Sequence, residues 1–148
     1  MKRYGIFALA LILGISFTFA GCATVLKTAP QAMTAKDLVA EAKKHIYEIS
    51  VSETKARFDQ SGYIFLDCRE PDEFKMGHIP GAMNIARGLL EFQIDKKVPD
   101  KDAKIIVYCK SGGRGGLAAY TLCRMGYRNV SNMAGGWMAW KKARYPAE

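Results

Sequence analysis

Seven consecutive residues constrain this chain more than any others: Cys109-Lys110-Ser111-Gly112-Gly113-Arg114-Gly115. They follow Lys104-Ile105-Ile106-Val107-Tyr108, a short apolar run rich in β-branched residues that predicts a buried strand. They precede Leu117-Ala118-Ala119-Tyr120-Thr121-Leu122, which predicts a helix. The order is therefore strand, tight loop, helix. Three glycines and a serine let the backbone fold closely around one point, and the following helix aims its first free N–H groups and the positive end of its dipole at that point. Such a cradle holds an anion. The residue at its rim is a cysteine, whose reactive form is the thiolate, and helix N-termini and nearby cations lower a thiol pKa from about 8.5 to roughly 3.5–7.5. Lys110 and Arg114 supply the cations.

Two plainer readings fail against this combination. A free cysteine at a strand end is most often a small buried hydrophobe, and a glycine-rich loop between strand and helix suggests phosphate or nucleotide binding. The loop contains neither Gly-x-Gly-x-x-Gly nor Gly-Lys-Ser/Thr, so the nucleotide motifs are absent. Cys109 and Arg114, bracketing four small or basic residues, point instead to nucleophilic catalysis on a small anion.

With these residues in place, the chain resembles a rhodanese-type sulfurtransferase domain in its single-domain form. The resemblance covers about residues 48–145. Leu66-Asp67-Cys68-Arg69-Glu70-Pro71-Asp72-Glu73-Phe74, Gly77-His78-Ile79-Pro80-Gly81-Ala82-Met83-Asn84-Ile85 and Gly135-Gly136-Trp137 resemble the family's other signatures, in the family's order. It implies a three-layer α/β/α fold around a central parallel sheet of about five strands. It also implies sulfur transfer: Cys109 takes a sulfane sulfur from thiosulfate or a similar small anionic donor and holds it as a persulfide. The outer sulfur would lie among the N–H groups of Lys110, Ser111, Gly112, Gly113 and Gly115, and a thiol or cyanide would then accept it. Arg114 and Lys110 would hold the donor's sulfonate, and Asp67 with Arg69 would brace the loop from below.

Loop length separates two relatives. Sulfurtransferases of this family have four residues between Cys and Arg, as here, whereas the related phosphatases and arsenate reductases have five, a wider ring for a phosphate-sized oxyanion. Gly115 is a departure, because many family loops have Ser or Thr there. Its missing hydroxyl points to modest turnover and keeps open a non-enzymatic, membrane-tethered persulfide carrier serving a partner protein. A cysteine phosphatase is the other alternative.

The 148 residues, 49% of them hydrophobic, suit one globular domain plus an appendage. The appendage comes first: Lys2 and Arg3 form a positive start, and Ile6 to Phe19 form an apolar stretch ending near small residues, the pattern of an export signal. Phe19-Ala20-Gly21-Cys22 resembles a bacterial lipobox, which implies cleavage before Cys22 and acylation of its sulfur. Residues 1–21 would be the signal and 22–33 a linker. The domain would then be tethered to the outer face of a bacterial membrane, the outer membrane where one exists. Two alternatives compete: the uncharged run from Tyr4 to Leu26 is long enough for a membrane helix, and Thr18-Phe19-Ala20 fits ordinary signal cleavage.

The net charge of +8 suits anionic substrates and membrane surfaces. Nucleic acid is not implied, because the basic residues are dispersed without a nucleic-acid motif. No cofactor is implied, and His45 has no partners at metal-ligand spacing. Cys68 and Cys123 read as packed residues, although a Cys109–Cys123 or Cys68–Cys109 bridge stays open.

Along the rest of the chain, Thr34 reads as the N-cap of an amphipathic helix over 34–47, with the sulfurtransferase-like domain over 48–148. A strand is predicted over 48–51, then a helix capped by Ser52, and a strand over Tyr63–Asp67 apolar enough to be covered on both faces. Asp67 and Cys109 should close neighbouring strands on the rim where open α/β sheets bind ligands. His78 reads as a turn residue rather than a base, and Trp137 and Trp140 as core.

Overall fold

In the computed structural model, which describes residues 32–148, the sheet has five strands, all parallel, in the order β1-β5-β4-β2-β3. They are β1 (Tyr47–Ile49), β2 (Tyr63–Asp67), β3 (Met83–Asn84), β4 (Lys104–Tyr108) and β5 (Asn129–Met133). The helices are α1 (Ala35–Lys43), α2 (Val51–Phe58), α3 (Pro71–Lys75), α4 (Leu90–Lys97), α5 (Gly113–Arg124) and α6 (Gly136–Lys142), with a 3-10 turn at Arg87–Leu89. The expected signal 1–21, Cys22 and nearly all of the expected linker lie outside the described residues.

Strand alternation divides the core into two layers. Leu66, Ile105 and Val107 face one side and pack with Leu90 and Ile94 of α4 and Ala118, Ala119 and Leu122 of α5. Phe65, Ile106 and Tyr108 face the other, with Trp137 and Trp140 of α6. The central β4 is therefore apolar on both faces, which is why its sequence runs without polar interruption. Trp140 is fully buried, and truncation to Ala would cost about 3–5 kcal/mol.

Local signals set the ends of the elements. Thr34 caps α1 in a reciprocal pair with Asp37: the Asp37 N–H donates to the threonine hydroxyl at 3.2 Å, and the Thr34 N–H donates to the carboxylate at 2.9 Å. The helix expected over 34–47 ends earlier, at Lys43, because Tyr47 pairs with Ser131 to open β1. Ser50, not Ser52, caps α2 through the same device with Glu53, so Val51 is helical rather than the end of a strand. α5 begins at Gly113, four residues before the predicted helix, so Arg114 and Gly115 lie in its first turn. α1 packs against α5, and Met33–Glu148 form one compact unit.

Candidate active site

Asp67 is paired with Tyr108 across β2 and β4, so the two residues that follow, Cys68 and Cys109, leave the sheet side by side. From Cys109 the chain turns back sharply, and the first residues of α6 hold that turn. The Trp137 N–H donates to the Cys109 carbonyl at 2.7 Å and the Met138 N–H to the Lys110 carbonyl at 3.0 Å. Gly136 allows this approach, because a Cβ there would collide with the Cys109 carbonyl, and its φ of +55° also favours glycine. The sequence motif Gly135-Gly136-Trp137 is thus the back wall of the loop.

The N–H groups of the loop converge on sulfur. Gly112 donates to the Cys109 Sγ at 3.2 Å, and the Ser111 and Gly115 N–H groups also reach it. Cys109 is held well below the usual thiol value, at about 5. The largest cause is a hydrogen bond from the Cys68 thiol, followed by these backbone donors, all acting against burial. Cys68 moves the opposite way: its contact with the Cys109 sulfur and its own burial push its thiol up. Cys68, read from the sequence as a packed residue with a bridge to Cys109 left open, is a free thiol packed beside Cys109.

Gly115 stands against Asn132, whose Oδ1 occupies the space that a Cβ at 115 would need. The Asn132 side chain is buried, and its Nδ2 donates to Glu48 at 2.8 Å and to the Gly112 carbonyl at 3.2 Å. A side chain at 115 would therefore require the Asn132 amide to shift.

The two arginines of the motifs have different partners. Arg69 forms a buried pair with Asp67, Nε to Oδ2 at 2.8 Å and Nη2 to Oδ2 at 2.6 Å. It also donates to the Gly77 carbonyl at 2.8 Å and stacks 5.0 Å from the Trp137 ring centre, which links it through Trp137 to the loop. Arg114 closes its fork on Glu73, at 2.7 and 2.9 Å, with Glu70 at 3.9 Å. Arg114 holds the Glu73 carboxyl down at about 2. Sequence pattern alone assigns Glu73 no role, although the Glu70-Pro71-Asp72-Glu73 start of α3 fixes it.

Beside the loop lies a cavity of about 460 Å³, lined by Arg69, Glu73, Met76, Lys110, Trp137, Met138 and Lys141. Lys110 projects to this cavity, and Ser111 is exposed at the loop. Among the described residues no three His, Cys, Asp or Glu side chains gather as metal ligands would. His78 stacks on Phe74 and contacts the Phe74 carbonyl and Glu148, which fastens the turn.

The model of the rhodanese-like domain matches residues 50–143. Thiosulfate sulfurtransferase PspE of Escherichia coli is 37% identical over 71 residues, 48% of this chain and 68% of that protein. Thiosulfate sulfurtransferase GlpE of Pseudoalteromonas translucida is 32% identical over 96 residues, 64% of this chain and 89% of that one. Two mitochondrial relatives are matched at 33% identity, and the match spans 62% of the length of each. Among solved structures, a protein of unknown function from Rhodopseudomonas palustris, described as a possible tyrosine phosphatase, superimposes with a TM-score of 0.71 at 35% identity. That match covers 80% of this chain and 98% of that one.

Proposed function

Because this chain belongs to the rhodanese-like family, we propose that it transfers a sulfane sulfur from thiosulfate or a similar anionic donor to a thiol or cyanide, through a persulfide on Cys109. The observation that carries this is the Cys109 sulfur cradled by its loop, with the Gly112 N–H donating to it at 3.2 Å, an arrangement that favours the thiolate. The thiolate attacks the outer sulfur of the donor, sulfite leaves, and the bound sulfur carries the negative charge into the ring of N–H groups. An acceptor then attacks that outer sulfur and Cys109 returns to thiolate.

The fork of Arg114 is already closed on Glu73, so the sulfonate is held in the cavity by Lys110 and Lys141, while Arg114 positions the first turn of α5. Asp67 and Arg69 support the loop through Trp137. Cys109→Ser is expected to abolish thiosulfate:cyanide activity, and full activity in that variant would overturn the proposal. Lys110→Ala and Lys141→Ala are expected to raise KM for thiosulfate more than they lower kcat.

A phosphatase is the second reading, favoured by the description of the Rhodopseudomonas relative. Phosphate monoester cleavage usually needs a protonated acid to serve the leaving oxygen. The carboxyl facing Arg114, Glu73, stays ionised down to about pH 2, and Asp67 is locked to Arg69. The loop also has the shorter spacing between Cys109 and Arg114. Aryl phosphate turnover without sulfite release from thiosulfate would reverse the ranking.

The proposal includes export and anchoring through acylated Cys22, on the strength of the charged start, the apolar stretch and the lipobox-like end. Cys22→Ser is expected to leave an unprocessed, unlipidated precursor. Normal processing of that variant to a soluble protein would contradict it.

A further inference from the structure

Transfer of sulfur to an outside acceptor requires no second thiol, yet Cys68 lies against the reacting one. The two cysteines follow directly after the paired residues Asp67 and Tyr108, and the Cys68 N–H donates to the Tyr108 carbonyl at 2.9 Å. Neighbouring strands run about 4.8 Å apart, within the roughly 4.4–6.8 Å of Cα separation that a disulfide spans. Both side chains enter the same core layer, with Leu66 and Val107, which sets the two sulfurs next to each other. The Cys109 sulfur therefore has loop N–H groups as one set of neighbours and, from the adjoining strand, a thiol as another.

We propose that Cys68 is an internal resolving thiol, which attacks the inner sulfur of the Cys109 persulfide and releases the transferred sulfur as hydrosulfide. This rests on the sulfur loading of Cys109 proposed above. The Cys68–Cys109 bond forms as the bond from Cys109 to the outer sulfur breaks, and the leaving sulfur takes the Cys68 proton. The outer sulfur gains two electrons and the cysteine pair loses them. A dithiol, small or protein-borne, then exchanges with the disulfide, becoming a disulfide itself and restoring both thiols. Before loading, the Cys109 thiolate and burial together keep Cys68 protonated. Afterwards the charge lies one atom further away, on the outer sulfur, so the part due to Cys109 is eased and the leaving sulfur is placed to take the proton. The second activity is thus reduction of a sulfane sulfur to sulfide, with a dithiol as the electron source.

The test adds thiosulfate to the reduced full chain after reductant has been removed, with no cyanide or thiol present, and follows sulfite, sulfide and intact mass together. One equivalent each of sulfite and sulfide per chain is expected, with a non-reducing peptide map joining Cys68 to Cys109. In Cys68→Ser, whatever its rate of sulfite release, the sulfide formed per sulfite released is expected to fall at least tenfold, with a mass gain of one sulfur on the chains that released sulfite. Cys123→Ser is expected to behave as wild type. If Cys68→Ser does not fold, as judged by circular dichroism, the wild-type stoichiometry and map decide alone. Sulfite release with a lasting persulfide and no sulfide in the wild type would overturn the resolving role and leave sulfur transfer standing. Absence of sulfite would overturn both.

Discussion

Two arginine–carboxylate pairs flank the loop, alike in chemistry and opposite in surroundings. Asp67 and Arg69 are 0% and 3% exposed, whereas Glu73 and Arg114 are 25% and 33% exposed. Burial separates their consequences. Taking one partner from a buried pair leaves an uncompensated charge and typically costs about 3–5 kcal/mol. An exposed pair contributes about 0–1 kcal/mol, because water and salt screen it. The inner pair is therefore a structural joint that ties β2 to Gly77 and Trp137. The outer pair adds little to stability and keeps the Arg114 fork occupied.

The largest effect that tests this contrast is on stability. Asp67→Ala is expected to lower the unfolding free energy by about 3–5 kcal/mol in urea titration. Asp67→Leu combined with Arg69→Met should recover much of that loss, since a well-packed apolar replacement is often neutral. A loss below about 1 kcal/mol for Asp67→Ala would erase the distinction between the pairs.

Glu73→Gln should do the reverse. Its unfolding free energy should stay within about 1 kcal/mol of wild type. The freed Arg114 fork should lower KM for thiosulfate roughly threefold to tenfold, as expected when one more charge-assisted hydrogen bond holds the donor. An unchanged KM would mean that the Arg114 fork, even when freed, does not reach the donor.

The smallest effect is on acid stability. Glu73 titrates at about 2 when folded against an ordinary 4.5, so its contribution is present above pH 4.5 and fades as pH falls toward 2. Screening limits it to about 1 kcal/mol or less. Comparing urea midpoints of wild type and Glu73→Gln between pH 5 and about 2.5 should show the two curves converging; parallel curves would remove Glu73 from the acid response.

Much of this arrangement was legible in the sequence because it is local. The apolar runs marked β2 and β4 with their observed ends, and the parallel sheet followed. Elements shaped by distant contacts were misjudged. α1 stops at Lys43 because Tyr47 belongs to a ladder with β5, a partner more than eighty residues away. α5 starts at Gly113 because the loop carbonyls are held by α6, which releases the chain into a helix sooner than its glycines suggest. The Ser50-x-x-Glu53 box was present in the sequence, but a strand over 48–51 took in Ser50 and left Ser52 as the cap.

The same division applies to the site. Cys109, Lys110 and the loop glycines were visible as a motif. The Cys68 thiol, the Glu73 carboxylate and the Asn132 amide reach the loop only through the order of strands and helices. Gly115 illustrates the limit: sequence registers a missing hydroxyl, while folding reveals that Asn132 fills its place.

The most direct test of the account is the rate of the first sulfite burst from thiosulfate, measured by rapid mixing across pH 4 to 9. Because the thiolate is the attacking form, the rate should be lost as pH falls through the Cys109 value of about 5 and be level above about pH 6, with one sulfite per chain. A midpoint near that of an ordinary thiol, about 8.5, or a burst that survives Cys109→Ser, would contradict it.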